Sequence, residues 1–260
     1  MKLKKLVYFT AILWFMTPSL YIFAEHLKTP PSLTLLDEKM SEMIVKANKG
    51  DVTAQAHLAS LYNIDGTQHN LIEAARWYTK AAEQGDASSQ YWLAQFYSSG
   101  LGGLPRDKNR SFEWMEKAAK AGNGDAQYAM AGHYKENGSS KSPLEMEWLL
   151  SAAKNGNGQA QFDLGTSYEL GNGLEKNSAE ALYWLFTASQ NNVCAANMHL
   201  GDMYFKGDGV RQDYLLAAQY YQDCPDLIKE ASSWRENMAY LYEKGLGVAK
   251  DPAKAQELRN

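Results

Sequence analysis

The chain has 260 residues, 45% hydrophobic and 22% charged, a composition that excludes a disordered or fibrous polypeptide. Its 26 basic and 30 acidic residues give a net charge of −4 without any basic block, which argues against a reader of nucleic acid phosphates. Two cysteines are too few for a disulfide-dense scaffold.

The first 24 residues differ from the rest. Lys2, Lys4 and Lys5 precede an apolar run from Leu6 to Phe23, and Ala24 follows. A basic start, an apolar stretch and a small residue make an export signal over residues 1–24. Ile22 is bulky for a cleavage site and the run approaches spanning length, so a retained membrane anchor is the alternative reading. Either way the bulk of the chain is expected to be exported, to the periplasm or beyond if the source is bacterial. A membrane contact follows only if the segment is uncleaved. Residues 25–36, with Pro30-Pro31, read as a linker.

Residues 37–260 are a repeat array. It opens in mid-unit: Asp37 to Gly50 aligns as a lone second helix, with Met43 as its anchor and Lys46-Ala47 as its small patch. Tyr62, Tyr97, Tyr134, Tyr168, Tyr204 and Tyr242 then recur at spacings of 34 to 38 residues. Seven positions before each tyrosine stand Gln55, Gln90, Gln127, Gln161, Asn197 and Arg235. Four before stand a large apolar residue and three before a small one, as in Leu58-Ala59 and Leu200-Gly201. These offsets share one helical face. After each tyrosine comes a second anchor, Trp77, Trp114, Trp148, Trp184, Tyr220 or Leu258, followed by a small patch such as Lys80-Ala81-Ala82. Each unit is therefore a helix pair, A then B, whose small residues allow close approach.

The boundaries agree with this reading. Gly100, Gly171, Gly207 and Gly245 open the A–B loops, where a left-handed residue ends a helix. Asn70, Asp107, Asn177, Asp213 and Asp251 stand where helix B needs an N-cap, and Ser142 replaces Lys141 in the third unit, whose loop is shortened after Gly138. Asn70 with Glu73, and Asn177 with Glu180, read as capping boxes. Pro143 and Pro252 suit a first helical turn. The short polar segment from Asp251 to Asn260 reads as the closing cap.

The pattern resembles the Sel-one-like repeat (SLR) family, relatives of the tetratricopeptide repeats. The resemblance is carried by Leu200-Gly201-Asp202-Met203-Tyr204 through Gly207, Gly209, Val210 and Asp213, by Gly245 through Asp251, and by Trp77 through Gly85. It covers residues 37–260 and implies an all-α, right-handed α/α superhelical solenoid of about six helix pairs with half-repeat caps. It also implies an adaptor or scaffold that binds a protein or peptide on a concave face lined by helix A. The matching positions are structural, so no functional residue carries over.

Little in the sequence suggests catalysis. Ser151-Ala152-Ala153-Lys154 has Ser-x-x-Lys spacing but lies in the small patch of a B helix and lacks the companion motifs of penicillin-recognising enzymes. A β-lactam- or peptidoglycan-active hydrolase is thus the alternative to a scaffold, and a secreted effector acting on a host is another. The five histidines His26, His57, His69, His133 and His199 show no ligand spacing, and no metal or cofactor is expected. Cys194 opens helix A of the fifth unit and Cys224 closes its helix B. Antiparallel helices bring those ends together, so the pair forms a disulfide on export or else fills two alanine-like core positions.

The partner surface is read from the positions that fail to repeat. Residues five and two before each tyrosine lie away from the seam, and their identities vary freely. They are His57, Trp92, Ala129, Asp163, His199 and Asn237, then Ser60, Gln95, Gly132, Thr166, Asp202 and Tyr240. Of these, His57, Ser60, Trp92, Gln95, Asp163, Thr166, His199 and Asp202 are the candidate contacts, with Trp92 the foremost.

Overall fold

The computed structural model describes residues 31–136, 142–224 and 232–260. Among them are thirteen α-helices and no strand. Helix α1 spans Pro31–Asn48. The A helices are α2 (Val52–Asp65), α4 (Ala87–Ser99), α6 (Gly124–Glu136), α8 (Gly158–Leu170), α10 (Cys194–Lys206) and α12 (Ser232–Lys244). The B helices are α3 (Gln68–Glu83), α5 (Lys108–Lys120), α7 (Pro143–Lys154), α9 (Ser178–Gln190), α11 (Tyr214–Gln222) and α13 (Pro252–Arg259). Each helix packs on its neighbours in sequence, giving an α/α solenoid.

Buried side chains form clusters strung along the array. One runs from Ala47 to Phe96 across α1 to α4, another from Met198 to Ala255 across α10 to α13. The alanine patches Ala81-Ala82, Ala118-Ala119 and Ala152-Ala153 are sealed, as are Leu58, Leu93, Leu164 and Leu200. No single hairpin could bury these faces alone, so stacking is obligatory.

The recurring glutamine ties successive units. Gln55, Gln90, Gln127 and Gln161 each donate Nε2 to the carbonyl of Ala47, Ala82, Ala119 and Ala153 at 3.0–3.1 Å. Those carbonyls lie in the last turn of the preceding B helix, where helical acceptors lack intrahelical donors. The amide is held from its other end too: Gln84, Asn155 and Asn191 donate to the Oε1 of Gln55, Gln127 and Gln161 at 2.7–2.8 Å. The second unit has Ala121 at that position, and Gln90 Oε1 is buried without a partner among the described residues. Ala121 has the backbone conformation of Asn155 (φ −79°, ψ 2° against φ −89°, ψ 19°). Ala121→Asn is therefore expected to supply the missing donor and raise the unfolding free energy by about 1 kcal/mol. Urea denaturation checks this, and no gain would mean that water already satisfies the amide.

The fifth unit departs from that scheme. Val193 precedes α10 without a side-chain cap, whereas Asp51, Asp86, Asn123 and Asn157 cap α2, α4, α6 and α8. Asn197 replaces glutamine and donates to Cys224 Sγ at 3.5 Å. Here a Cys194–Cys224 disulfide joins the start of α10 to the residue two beyond α11, with a Cα–Cα distance of 5.6 Å.

Three boundaries differ from expectation. Helix α1 starts at Pro31, so residues 31–36 are helical where a linker to residue 36 was expected; proline's fixed φ and missing N–H suit a first turn. The signal segment 1–24 and residues 25–30 lie outside the described residues, as does the third-unit loop 137–141. Asn70 does not cap α3. Gly66 ends α2 in the left-handed conformation, the chain turns at once, and Thr67 caps α3 through Asn70 N. Asn177 does cap α9, but Glu180 accepts from Trp184 Nε1 at 3.1 Å. Ser142 stands at the cap of α7 without a side-chain bond. Among the described residues no helix is long and apolar enough to cross a membrane.

Candidate interaction surface

The A helices bring the non-repeating positions of adjacent units together in pairs. In units one and two, His57, Ser60 and Trp92 line a groove of about 270 Å³ between α2 and α4. Trp92 is 40% exposed, an unusual position for tryptophan. Its ring lies parallel to Tyr78 at 6.1 Å and edge-on to Tyr91 at 5.6 Å, which fixes its orientation. Burial pushes the Tyr78 hydroxyl up to about 12. Ser89, fully buried against the same groove, has an Oγ without a partner among the described residues. Gln95 hydrogen-bonds the Tyr91 hydroxyl, which burial raises above its ordinary value. Ser60 donates to the carbonyl of His57 in its own helix.

Further along, the stripe is tied to itself. Asp163 accepts from Tyr128 Oη at 2.9 Å, one unit back, and from Gln159 at 3.0 Å. Burial, reinforced by that carboxylate, raises the Tyr128 hydroxyl well above the usual phenol value. Thr166 bonds the Asp163 carbonyl. His199 Nδ1 lies 2.8 Å from Glu169 and meets the Phe162 ring edge-on. Asp202 accepts from Tyr221 Oη at 2.5 Å, from Asn237 at 3.0 Å and from Lys206 at 3.2 Å. Burial chiefly, and Asp202 after it, raise the Tyr221 hydroxyl. These residues therefore tie neighbouring A helices together, while His57, Ser60 and Trp92 leave more surface uncommitted.

The third unit has a different character. Ala129 and Gly132 occupy the two variable positions, and where larger side chains stand in other units a hollow of about 430 Å³ opens. Glu145 of α7 lines it, only 9% exposed, with Oε2 lacking any hydrogen-bond partner among the described residues. Three positions before the B anchor, every other unit has a small residue: Ala74, Ser111, Ala181, Ala217 or Ala255. Sequence reasoning missed Glu145. The signal was available as the one charged residue in an otherwise small column.

No catalytic arrangement emerges around the Ser-x-x-Lys motif. Ser151 is half-buried near the end of α7, its carbonyl bound to Asn155 N, and Lys154 is exposed. Among the described residues no three His, Cys, Asp or Glu side chains converge as a metal site. The rings of His133 and Phe112 meet at 4.8 Å, tilted by 47°.

The Sel1 repeat model matches residues 52–86, 87–123, 124–157, 158–193, 194–222 and 236–258. Among solved structures the chain is similar to c5321, a protective antigen present in uropathogenic Escherichia coli strains and displaying an SLR fold. The identity is 31% and the TM-score 0.66, over 84% of this chain and 47% of that one. This chain thus spans about half the length of that protein. It is also similar to a Sel1 repeat protein from Oxalobacter formigenes, at 27% identity and a TM-score of 0.59, over 80% of this chain and 84% of that one. No curated protein matches it.

Proposed function

We propose, since this chain belongs to the Sel1 repeat family, that it is a non-enzymatic interaction scaffold whose helix-A stripe binds a partner protein or peptide. The observation that carries this reading is Trp92, a large aromatic held rigid by Tyr78 and Tyr91 yet substantially open to solvent. A pre-oriented aromatic loses little freedom on binding, and tryptophan contributes to interfaces out of proportion to its number. The groove beside it offers the exposed His57 and Ser60. Near-complete coverage of the chain by structural repeats supports a scaffold over a hydrolase.

An exported setting is part of the proposal. The Cys194–Cys224 pairing supports it, because disulfides persist in oxidising compartments. The basic and apolar start of the chain supports it as well.

Trp92→Ala is expected to weaken capture of the partner about tenfold, roughly 1.4 kcal/mol, in a crosslinking pull-down from the native compartment. Its melting transition should shift only slightly, because the lost stacking is worth about 1 kcal/mol. Equal capture by wild type and variant would remove this stripe as the docking surface. Collapse of the fold would assign Trp92 to the core.

A further inference from the structure

We propose that the hollow between α6, α7 and α8 receives a basic side chain, lysine or arginine, from the bound protein; this rests on the scaffold reading and names the chemistry at one point of the stripe. The hollow exists because Ala129 and Gly132 supply no bulk, and a Cβ added at Gly132 would meet nothing within 4 Å. Its volume of about 430 Å³ lies in the range of ligand pockets, ~300–1,000 Å³.

The wall chemistry selects a cation. Glu145 replaces a small residue in a buried column, and its Oε2 finds no donor among the described residues. A carboxylate oxygen held out of water without a donor is costly, so a donor arriving from outside would be favoured. The start of α7 lowers part of that cost, because an acid in the first turn meets the positive end of the helix dipole. The dipole does not fill the empty acceptor. Asp163 adds a second carboxylate across the hollow, and Lys135 on the same wall offsets one of the two, leaving a surplus of negative charge. Both Asp163 oxygens already accept one bond each, from Tyr128 and Gln159, which fixes the carboxylate in place with lone pairs to spare. A guanidinium could bridge Glu145 and Asp163, and an ammonium could reach Glu145.

N-acetyl-arginine amide is the probe. Titrated into the full chain and followed by amide NMR shifts, it is expected to perturb Gly132, Glu145 and Thr166 saturably at millimolar concentration. N-acetyl-glutamine amide should be at least tenfold weaker. Glu145→Gln, which keeps the shape, and Gly132→Leu, which fills the open space, should each weaken the probe at least tenfold. Trp92→Ala should leave it unchanged. Shifts absent at these residues, or equal for the neutral amide, would overturn the proposal. So would a tenfold gain in affinity on Lys141→Ala, which would make the chain's own lysine the occupant. Failure of the probe while Trp92→Ala still weakens partner capture would sink this inference alone. Probe binding with capture indifferent to Trp92 would sink the stripe reading and leave a free cation pocket.

Discussion

Reduction of the Cys194–Cys224 disulfide is expected to lower the unfolding free energy by about 3–4 kcal/mol, the chain-entropy value for a loop of 30 residues. The loss should be local. In a solenoid each unit contacts only its neighbours, so stability is close to a sum of unit and interface contributions. The fifth unit has already given up two ties used elsewhere, since Val193 offers no cap and Asn197 Oδ1 is buried without a partner among the described residues. Reductant, or the Cys194→Ser, Cys224→Ser double variant, should therefore release amide protection in α10 to α13 while α2 to α9 stay protected. Hydrogen exchange reads this directly. Uniform loss across the array would show that the solenoid unfolds as one cooperative block, and unchanged protection would show that the bond is dispensable.

Gly247→Ala should cost about 3 kcal/mol. Gly247 has φ +68°, where an L side chain costs roughly 1–2 kcal/mol. A Cβ there would also overlap the carbonyl of Tyr214 at the start of α11, backbone that cannot swing away as a side chain would. Overpacking of this kind adds about 1–3 kcal/mol. Gly50 is the control. It too has a positive φ, +96°, but a Cβ would meet nothing within 4 Å. Gly50→Ala should then show the conformational penalty without the overlap. Thermal or urea unfolding of the two variants separates the contributions, and equal losses would mean that the last loop relaxes away from α11.

Much of the fold was legible because its determinants are local. The Leu-Ala-Tyr face, the glycine loops and the aspartate caps act within one or two helical turns, and each recurs often enough to be read without coordinates. Asn70 shows the limit. It matched the column of B-helix caps, yet the first A–B connection is only Gly66 and Thr67, so the helix had started before Asn70 was reached. An alignment that assumes equal loops cannot see a shorter one.

The candidate surface was legible in part. Non-repetition singled out the varying column of positions, because structural positions must recur and the others need not. It could not tell which of those side chains were engaged. Asp163 and Asp202 are held by groups 35 residues away in the next or previous unit, Tyr128 and Asn237, contacts that follow from how far each hairpin is rotated on its neighbour.

The sequence alone thus determined the helix pairs and their number, since these depend on periodicity and turn chemistry. Tertiary structure decided that Trp92 stays open over a rigid aromatic bed, that a disulfide takes over where the glutamine tie lapses, and that Glu145 is buried beside a hollow, its Oε2 without a donor among the described residues. The reason is physical: burial and hydrogen-bond completion are properties of neighbours in space, and in a solenoid those neighbours lie a full repeat apart in the chain.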